Sequence, residues 1–455
     1  MKVAVIGAGW AGLAAALELL RQGHHATVFE SSHMLGGRAR RSPSRSMNID
    51  IDNGQHILLG AYRETVALMQ SLGLDTDALF HRRPLTLAYA DDSFNLSVAK
   101  LPAPLHTLAG VLRARGMQWS EKIKLVSIIA KLRAGGWRLE PSTTVAHWLS
   151  RHEQSEHMVT LFWRPLCVAA LNTPIEKACA QLFANVLRDS LGGAKDAADL
   201  LIPAVDLSSL WPDHVQPHAE LCHPGRLTMH RGWTVRRLEG GLDGVTVDGD
   251  HYDAAIVACN APSTLRLLKT LMQPPRSSGD LVLYEESLAA FEYAPIATVT
   301  LQLEHPWGLP LAMLGLREKP ARLQFGQWLF DTQARRADLS SSNSEQDAGE
   351  GRLLHIVISD AQQLAQHSAH DVINGTITQV REQTQRFSPM PNVCGHDLID
   401  EKRATFIARP GLRRPTNRTP WSRVMVAGDW TDTGYPAVLE GAVRSGLQAA
   451  RELAY

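Results

Sequence analysis

The chain has 455 residues, enough for two or more domains with a sizeable core. Its 46 basic side chains balance 46 acidic ones, so no global field invites a polyanion and no nucleic-acid partner is expected. The five cysteines (Cys167, Cys179, Cys222, Cys259, Cys394) form no CxxC pair, which suits a reducing compartment and free, mostly buried thiols.

In chain order, Lys2-Val3-Ala4-Val5-Ile6 reads as a buried strand, and Gly7-Ala8-Gly9-Trp10-Ala11-Gly12 turns from it into a helix ending at Arg21. Gly7 permits the bend, Gly9 lets a dinucleotide pyrophosphate approach the backbone, and Gly12 lets helix and strand pack closely. The helix start supplies unpaired N–H groups and partial positive charge for the phosphates. Ala26-Thr27-Val28-Phe29 reads as a second strand. It ends at Glu30, placed to grip a ribose 2′-hydroxyl and unfavourable to a 2′-phosphate. Leu35-Gly36-Gly37-Arg38 follows. An extended cofactor running past this loop explains the second glycine pair, and the Arg38 fork can pair with pyrophosphate.

Beyond the Asp52-Asn53-Gly54-Gln55-His56 loop, helical periodicity dominates to about residue 219. There Lys100, Arg113, Arg115, Lys122, Lys124, Lys131, Arg133 and Arg138 face only Glu121. They interleave with Leu108, Leu112, Trp119, Ile123, Ile129 and Trp137. Such a basic amphipathic segment rests on anionic lipid, or else presents a solvated face over an ordinary core. His152-Glu153-Gln154-Ser155-Glu156-His157 fits neither HExxH nor HxxEH, so no metal is expected.

Nucleotide-domain texture returns after Gly232. Trp233 to Leu238 reads as a strand, with Val235 able to bond adenine through its backbone; a hairpin follows, then the buried strand Ala254–Ala258. Within a further stretch of the other domain, residues 332–351 are polar and read as a mobile loop. Val424-Met425-Val426-Ala427 is a last buried strand, running into Gly428-Asp429-Trp430. Asp429 suits a carboxylate accepting ribityl hydroxyls, which NAD lacks. A helix starting near Pro436-Ala437 would aim its positive end at a flavin ring. Leu439, Ala442, Val443, Gly446, Leu447 and Ala450 form its apolar stripe. The cofactor expected is therefore FAD, bound non-covalently because no cysteine lies beside this motif.

The fold class expected is α/β: a Rossmann-like FAD-binding domain (1–85, 220–290 and 396–455) interleaved with an α+β substrate domain (86–219 and 291–395). Residues expected at the cofactor are Gly7, Gly9, Ala11, Gly12, Glu30, Gly36, Gly37, Arg38, Gly54, Gln55, His56, Val235, Gly428, Asp429, Ala437, Glu440 and Ala442. Glu440 and Arg444 are also spaced for an ion pair one helical turn apart. The chain opens on a core strand, and no apolar run has bilayer-spanning length. The location expected is cytoplasmic, with peripheral attachment to the membrane if the basic segment meets lipid.

The fingerprint, Gly-Gly-Arg and Gly-Asp-Trp together resemble the flavin amine oxidase and phytoene desaturase superfamily. Narrower segments resemble the hydroxysqualene dehydroxylases. These are Asp52 to His56, Phe162-Trp163-Arg164-Pro165-Leu166-Cys167, Glu401-Lys402-Arg403-Ala404-Thr405-Phe406, and Ala427 to Gly446. The chain departs from that pattern in the 332–351 insertion and at Tyr435, where a Leu would precede the proline. The resemblance implies reductive loss of a hydroxyl: reduced FAD gives a hydride to the carbinol carbon of hydroxysqualene, releasing water and squalene. It also implies association with squalene-forming enzymes. Such chemistry needs a general acid, a dry apolar tunnel and close stacking of ring and substrate. The resemblance places the Asp52 loop beside the flavin, which makes His56 the first candidate acid, with Asp52 orienting it or closing the turn. Arg164 could face the pocket or serve structurally. Two other functions fit less fully: a carotenoid-type desaturase, and a flavin-holding scaffold without turnover.

Overall fold

The computed structural model describes residues 1–98, 105–192, 196–241, 243–271, 278–331 and 352–453. The 332–351 segment and Lys100 therefore lie outside the described residues. The fold is α/β, organised around a five-stranded parallel sheet in the order Leu227–Arg231, His25–Glu30, Lys2–Ile6, Ala254–Val257, Val424–Val426. Ile6 pairs with Phe29 on one side and Val257 on the other, so the strands end level. In such sheets the crevice beyond the carboxyl ends of the strands is where ligands bind. The central strands are buried on both faces, which is why they read as continuous apolar runs.

Helix Trp10–Arg21 packs on this sheet, and the closing helix Leu439–Leu453 packs on it in turn. Small residues set their separation. A Cβ on Gly446 would lie 2.0 Å from the Ala11 carbonyl oxygen, and one on Gly12 would lie 1.9 Å from the Gly7 oxygen.

A second, antiparallel sheet has the order Met313–Gly315, Trp328–Asp331, Arg352–Ser359, Tyr293–Leu303, Val393–Phe406. Helix Ala369–Gln383 contributes Val372, Ile373 and Val380 to the core on this sheet. Helices Leu105–Arg113, Trp119–Ala134, Val145–Arg151, Arg164–Leu171 and Ala180–Leu191 build an apolar layer continuous with the parallel sheet through Ile6, Phe29 and Val257, and in it Trp148, Trp163 and Phe183 meet edge to face. No helix among the described residues is long and apolar enough to cross a membrane.

Two local expectations need correction. Trp233–Arg237 is not a strand, and Leu238 opens a separate short one, Leu238–Gly240; Leu227–Arg231 takes the place at the sheet edge. Gly232, at a left-handed φ of +74°, ends the strand. The N–H groups of Arg236 and Arg237 then donate to the Asp248 carboxylate instead of a ladder. The cysteines are all free, but Cys222 and Cys394 are exposed, so burial holds only for part of the set.

Candidate active site

Beyond the carboxyl ends of the parallel strands lies a cavity of about 1460 Å³. Gly7, Gly9, Ala11, Glu30, Gly36, Gly37, Arg38, Val235, Gly428 and Asp429 line it, as do Gly54, Gln55, His56, Ala437 and Ala442. The rest of its wall is mostly apolar, with Leu87, Leu96, Leu125, Ile129, Phe162, Leu166, Trp328 and Phe330 among the contributors.

The turn after the first strand has the shape a pyrophosphate needs. Gly7 sits at φ +106°, and a Cβ there would come within 2.7 Å of the Ala258 oxygen. No side chain caps helix Trp10–Arg21, which leaves its first N–H groups for a ligand. The Gly36–Gly37 pair docks on this turn: Gly36 N–H donates to the Ala8 oxygen at 2.9 Å, and a Cβ on Gly37 would lie 2.9 Å from the Gly9 Cα. Both glycines take positive φ. The glycine pair is thus needed by the protein's own packing as well as by any cofactor passing it.

Glu30 accepts from the Ala8 N–H at 2.7 Å and, through its other oxygen, from the Ser32 N–H at 2.8 Å. Arg38 donates to the Asp429 carboxylate at 2.7 Å and to the Ala404 carbonyl. Trp430, beside Asp429, is buried and donates to the Cys259 carbonyl at 2.9 Å. These groups fit FAD. They combine a glycine cradle, an open helix start, an acidic residue ending the second strand and a buried carboxylate at the fifth.

His56 is half-buried, and its Nδ1 lies 2.9 Å from the Gly54 carbonyl oxygen. A carbonyl can only accept, so Nδ1 carries the proton and Nε2 of the neutral ring is an acceptor. Burial lowers the imidazole pKa; the Gly54 bond opposes this and Arg38 adds to it. The neutral ring is therefore an acceptor toward the cavity, which disfavours it as a proton donor. Asp52 does not orient His56. It accepts from the Leu207 N–H at 2.8 Å and from the Gln55 amide at 3.5 Å.

Gly12, Asp52 and Glu440 do not line the cavity. Glu440 is fully buried and accepts from the N–H groups of Glu64 and Thr65, from the Thr65 hydroxyl at 2.7 Å, and from Arg444 at 2.8 Å. It caps helix Arg63–Ser71 instead of touching a cofactor, because that helix presents its unpaired donors to the start of the closing helix. Arg164 points away as well, pairing with Glu176 at 2.9 Å. His157 is paired with Glu121 at 3.0 Å.

Sequence reasoning passed over Arg414 and Tyr62. Arg414 donates to the carbonyls of Asp429 at 2.9 Å and Trp430 at 3.2 Å, and also to those of Thr431 and Tyr435, fixing the loop after the last strand. Tyr62 lines the cavity, just before helix Arg63–Ser71. Neither sits in a recognisable motif, so no local signal marked them.

Residues 10–454 match the model of the family described as flavin containing amine oxidoreductase. A hydroxysqualene dehydroxylase of Rhodopseudomonas palustris is 28% identical over 98% of this chain and 97% of its own length. A zeta-carotene desaturase of Arabidopsis thaliana is 24% identical over 99% of this chain and 84% of its own. Among solved structures, cyclohexylamine oxidase of Brevibacterium oxydans superposes with a TM-score of 0.66 at 18% identity, covering 100% of this chain and 98% of that one.

Proposed function

The chain belongs to the flavin containing amine oxidoreductase family, and we propose that this FAD-dependent enzyme removes the hydroxyl of hydroxysqualene to give squalene. The observation that carries the proposal is one cavity with two chemistries: the glycine cradle and an extended apolar wall share it. A long isoprenoid alcohol needs such a wall, because leaving its hydrocarbon in water costs about 25 cal/mol per Å². The near full-length match to a hydroxysqualene dehydroxylase supports the same substrate class.

Bound and reduced, FAD supplies the two electrons that replace the departing hydroxyl. The protein's part is to hold the carbinol beside the cofactor and keep water out while the C–O bond weakens. Leu125, Ile129, Phe162 and Leu166 exclude water, and residues 53–57 line the same cavity. Non-covalent binding is part of the same proposal, supported by the state of the one cysteine in the wall. Cys259 lies 3.4 Å from the Ile6 carbonyl oxygen, and burial pushes its thiol up to about 12, far from a reactive thiolate.

Peripheral attachment belongs to the same proposal. Val126, which lines the cavity, is on the same helix as the outward-facing Trp119 (67% exposed) and Ile123 (68% exposed), interleaved with Lys124, Lys131 and Arg133. Apolar side chains among cations suit an anionic bilayer, where a C30 alcohol resides.

The test is an anaerobic single turnover with photoreduced holoenzyme and hydroxysqualene in detergent. Squalene appearing in step with flavin reoxidation is the expected result. A folded, FAD-loaded protein that yields none overturns the proposal, and dehydrogenation of a carotene by the oxidised form would put the desaturase in its place.

A further inference from the structure

We propose that His56 Nε2 is the acceptor that takes the substrate's O–H and holds its carbinol carbon beside the cofactor, a role that rests on the dehydroxylation reading for the identity of its ligand. The ring lines the cavity, and its Nδ1 proton is donated to the Gly54 carbonyl at 2.9 Å. That leaves Nε2 with a lone pair and no hydrogen. Nε2 has no hydrogen-bond partner among the described residues and is not one of their sealed polar atoms, so it keeps open surface. The groups that act on this ring are Gly54 and Arg38, and both belong to the cavity wall. Burial is nevertheless the largest influence on it, so the open surface faces the cavity and not bulk water. An unpartnered acceptor in such a place costs stability until a donor reaches it.

The position suits a carbinol. On one side of His56 the loop is tied to the Arg38 segment: the Asn53 amide donates to the Arg38 carbonyl at 3.1 Å, and the Asn53 N–H donates to the Arg40 carbonyl at 2.8 Å. On the other side, Ile57 packs against the apolar cluster that holds Leu125 and Phe162. His56 therefore stands where the polar, cofactor-holding part of the wall gives way to the apolar part. A long isoprenoid alcohol lying along that wall brings its one polar group to this junction. The loop is also fixed in place. A Cβ on Gly54 would lie 3.7 Å from the Thr298 hydroxyl, and Leu58–Leu59 pairs with Leu200–Leu201.

Other acceptors in the wall already have donors. Glu30 takes the N–H groups of Ala8 and Ser32, and Asp429 takes Arg38. Asn172 Oδ1 takes the Asp360 N–H at 2.7 Å, and Glu401 takes the Arg403 N–H at 3.3 Å. His56 differs from the carboxylates in a second way. Its acceptor is uncharged, so it needs no counter-ion when an apolar substrate displaces water from the cavity. The role is one of holding: the ring receives a hydrogen bond, and no proton changes hands at Nε2.

The test is equilibrium binding to the oxidised, FAD-loaded protein, followed by flavin absorbance, with three probes. Hydroxysqualene can donate a hydrogen bond; its methyl ether can only accept one; squalene can do neither. Wild type should bind the alcohol about fivefold tighter than either of the others. His56→Leu should hold all three alike, with its affinity for the ether and for squalene unchanged. His56→Gln, which keeps an acceptor oxygen, should restore part of the preference. In anaerobic single turnover, His56→Leu should need about fivefold more alcohol to reach half its maximal rate. Wild-type protein that holds the ether as tightly as the alcohol overturns the role of His56 without any variant having to fold, and leaves dehydroxylation standing. A His56→Leu protein that is FAD-loaded and keeps the full preference overturns it as well. Wild-type protein that prefers the alcohol and never forms squalene upholds the acceptor and overturns the dehydroxylation reading alone.

Discussion

Arg38 and Asp429 stand 391 positions apart in the chain and meet at 2.7 Å in the cavity wall. Asp429 is the more buried partner, with its side chain 9% exposed against 37% for Arg38. Removing the arginine leaves that carboxylate without its main counter-charge. Arg38→Met should therefore cost about 2 kcal/mol of stability. FAD affinity should fall at least tenfold, read by titrating apoprotein with FAD and following flavin fluorescence. Unchanged affinity would mean that the pair serves the fold alone.

The Gly446 contact is steric. A methyl placed 2.0 Å from the Ala11 oxygen forces the closing helix away from helix Trp10–Arg21. Gly446→Ala should lose about 1–3 kcal/mol in urea unfolding and bind FAD more weakly. Gly308, with nothing within 4 Å of its would-be Cβ, is the control. Gly308→Ala should stay within about 0.5 kcal/mol of wild type.

Glu440→Ala separates capping from cofactor binding. Two backbone N–H groups, the Thr65 hydroxyl and Arg444 all lose an acceptor. Stability should drop by about 1–3 kcal/mol, while the refolded protein keeps its full complement of FAD. Loss of the cofactor at unchanged stability would restore Glu440 to the cofactor site.

His56 makes a pH prediction whose sign follows from burial. Its folded pKa lies below the unfolded value near 6.5, so below that pH the unfolded chain takes up more protons. The contribution is present above pH 6.5 and is lost as pH falls through the unfolded and then the folded pKa. His56→Gln should flatten the decline of melting temperature on the acid side of 6.5. A decline as steep as that of wild type would show that the ring titrates normally.

Membrane attachment predicts that wild type sediments with anionic vesicles at low salt and is released by high salt. Replacing both Trp119 and Ile123 by Ser should abolish sedimentation and leave single turnover in detergent unchanged. Both side chains point outward, so the fold loses little. Wild-type protein left in the supernatant would end the idea.

What was legible in the sequence was short in range. Gly7, Gly9 and Gly12 answer to a turn that closes within a few residues, and the apolar runs at Val3–Ile6 and Val424–Val426 report two-sided burial directly. The edge strand Leu227–Arg231 was not legible, because its partly exposed pattern carries His230 and Arg231 where a central strand would show apolar residues. Trp233 to Leu238 has the composition of a strand, but the N–H groups of Arg236 and Arg237 go to the Asp248 side chain, a partner that periodicity does not encode. Glu440 and Tyr62 escaped for a related reason. One caps a helix far earlier in the chain, and the other lines the cavity from the position just before that helix, which no local pattern marks.

The fifth strand of the parallel sheet comes from Val424–Val426, near the end of the chain, and hydrogen-bonds to Ala254–Val257. A ribosome therefore exposes the apolar edge of Ala254–Val257 long before its partner has been translated. Until then Asp429 and the closing helix are missing too, so the cofactor site is incomplete until residues 424–453 have been made. For that interval the nascent enzyme carries a bare sheet edge, the kind of surface that chaperones protect from aggregation.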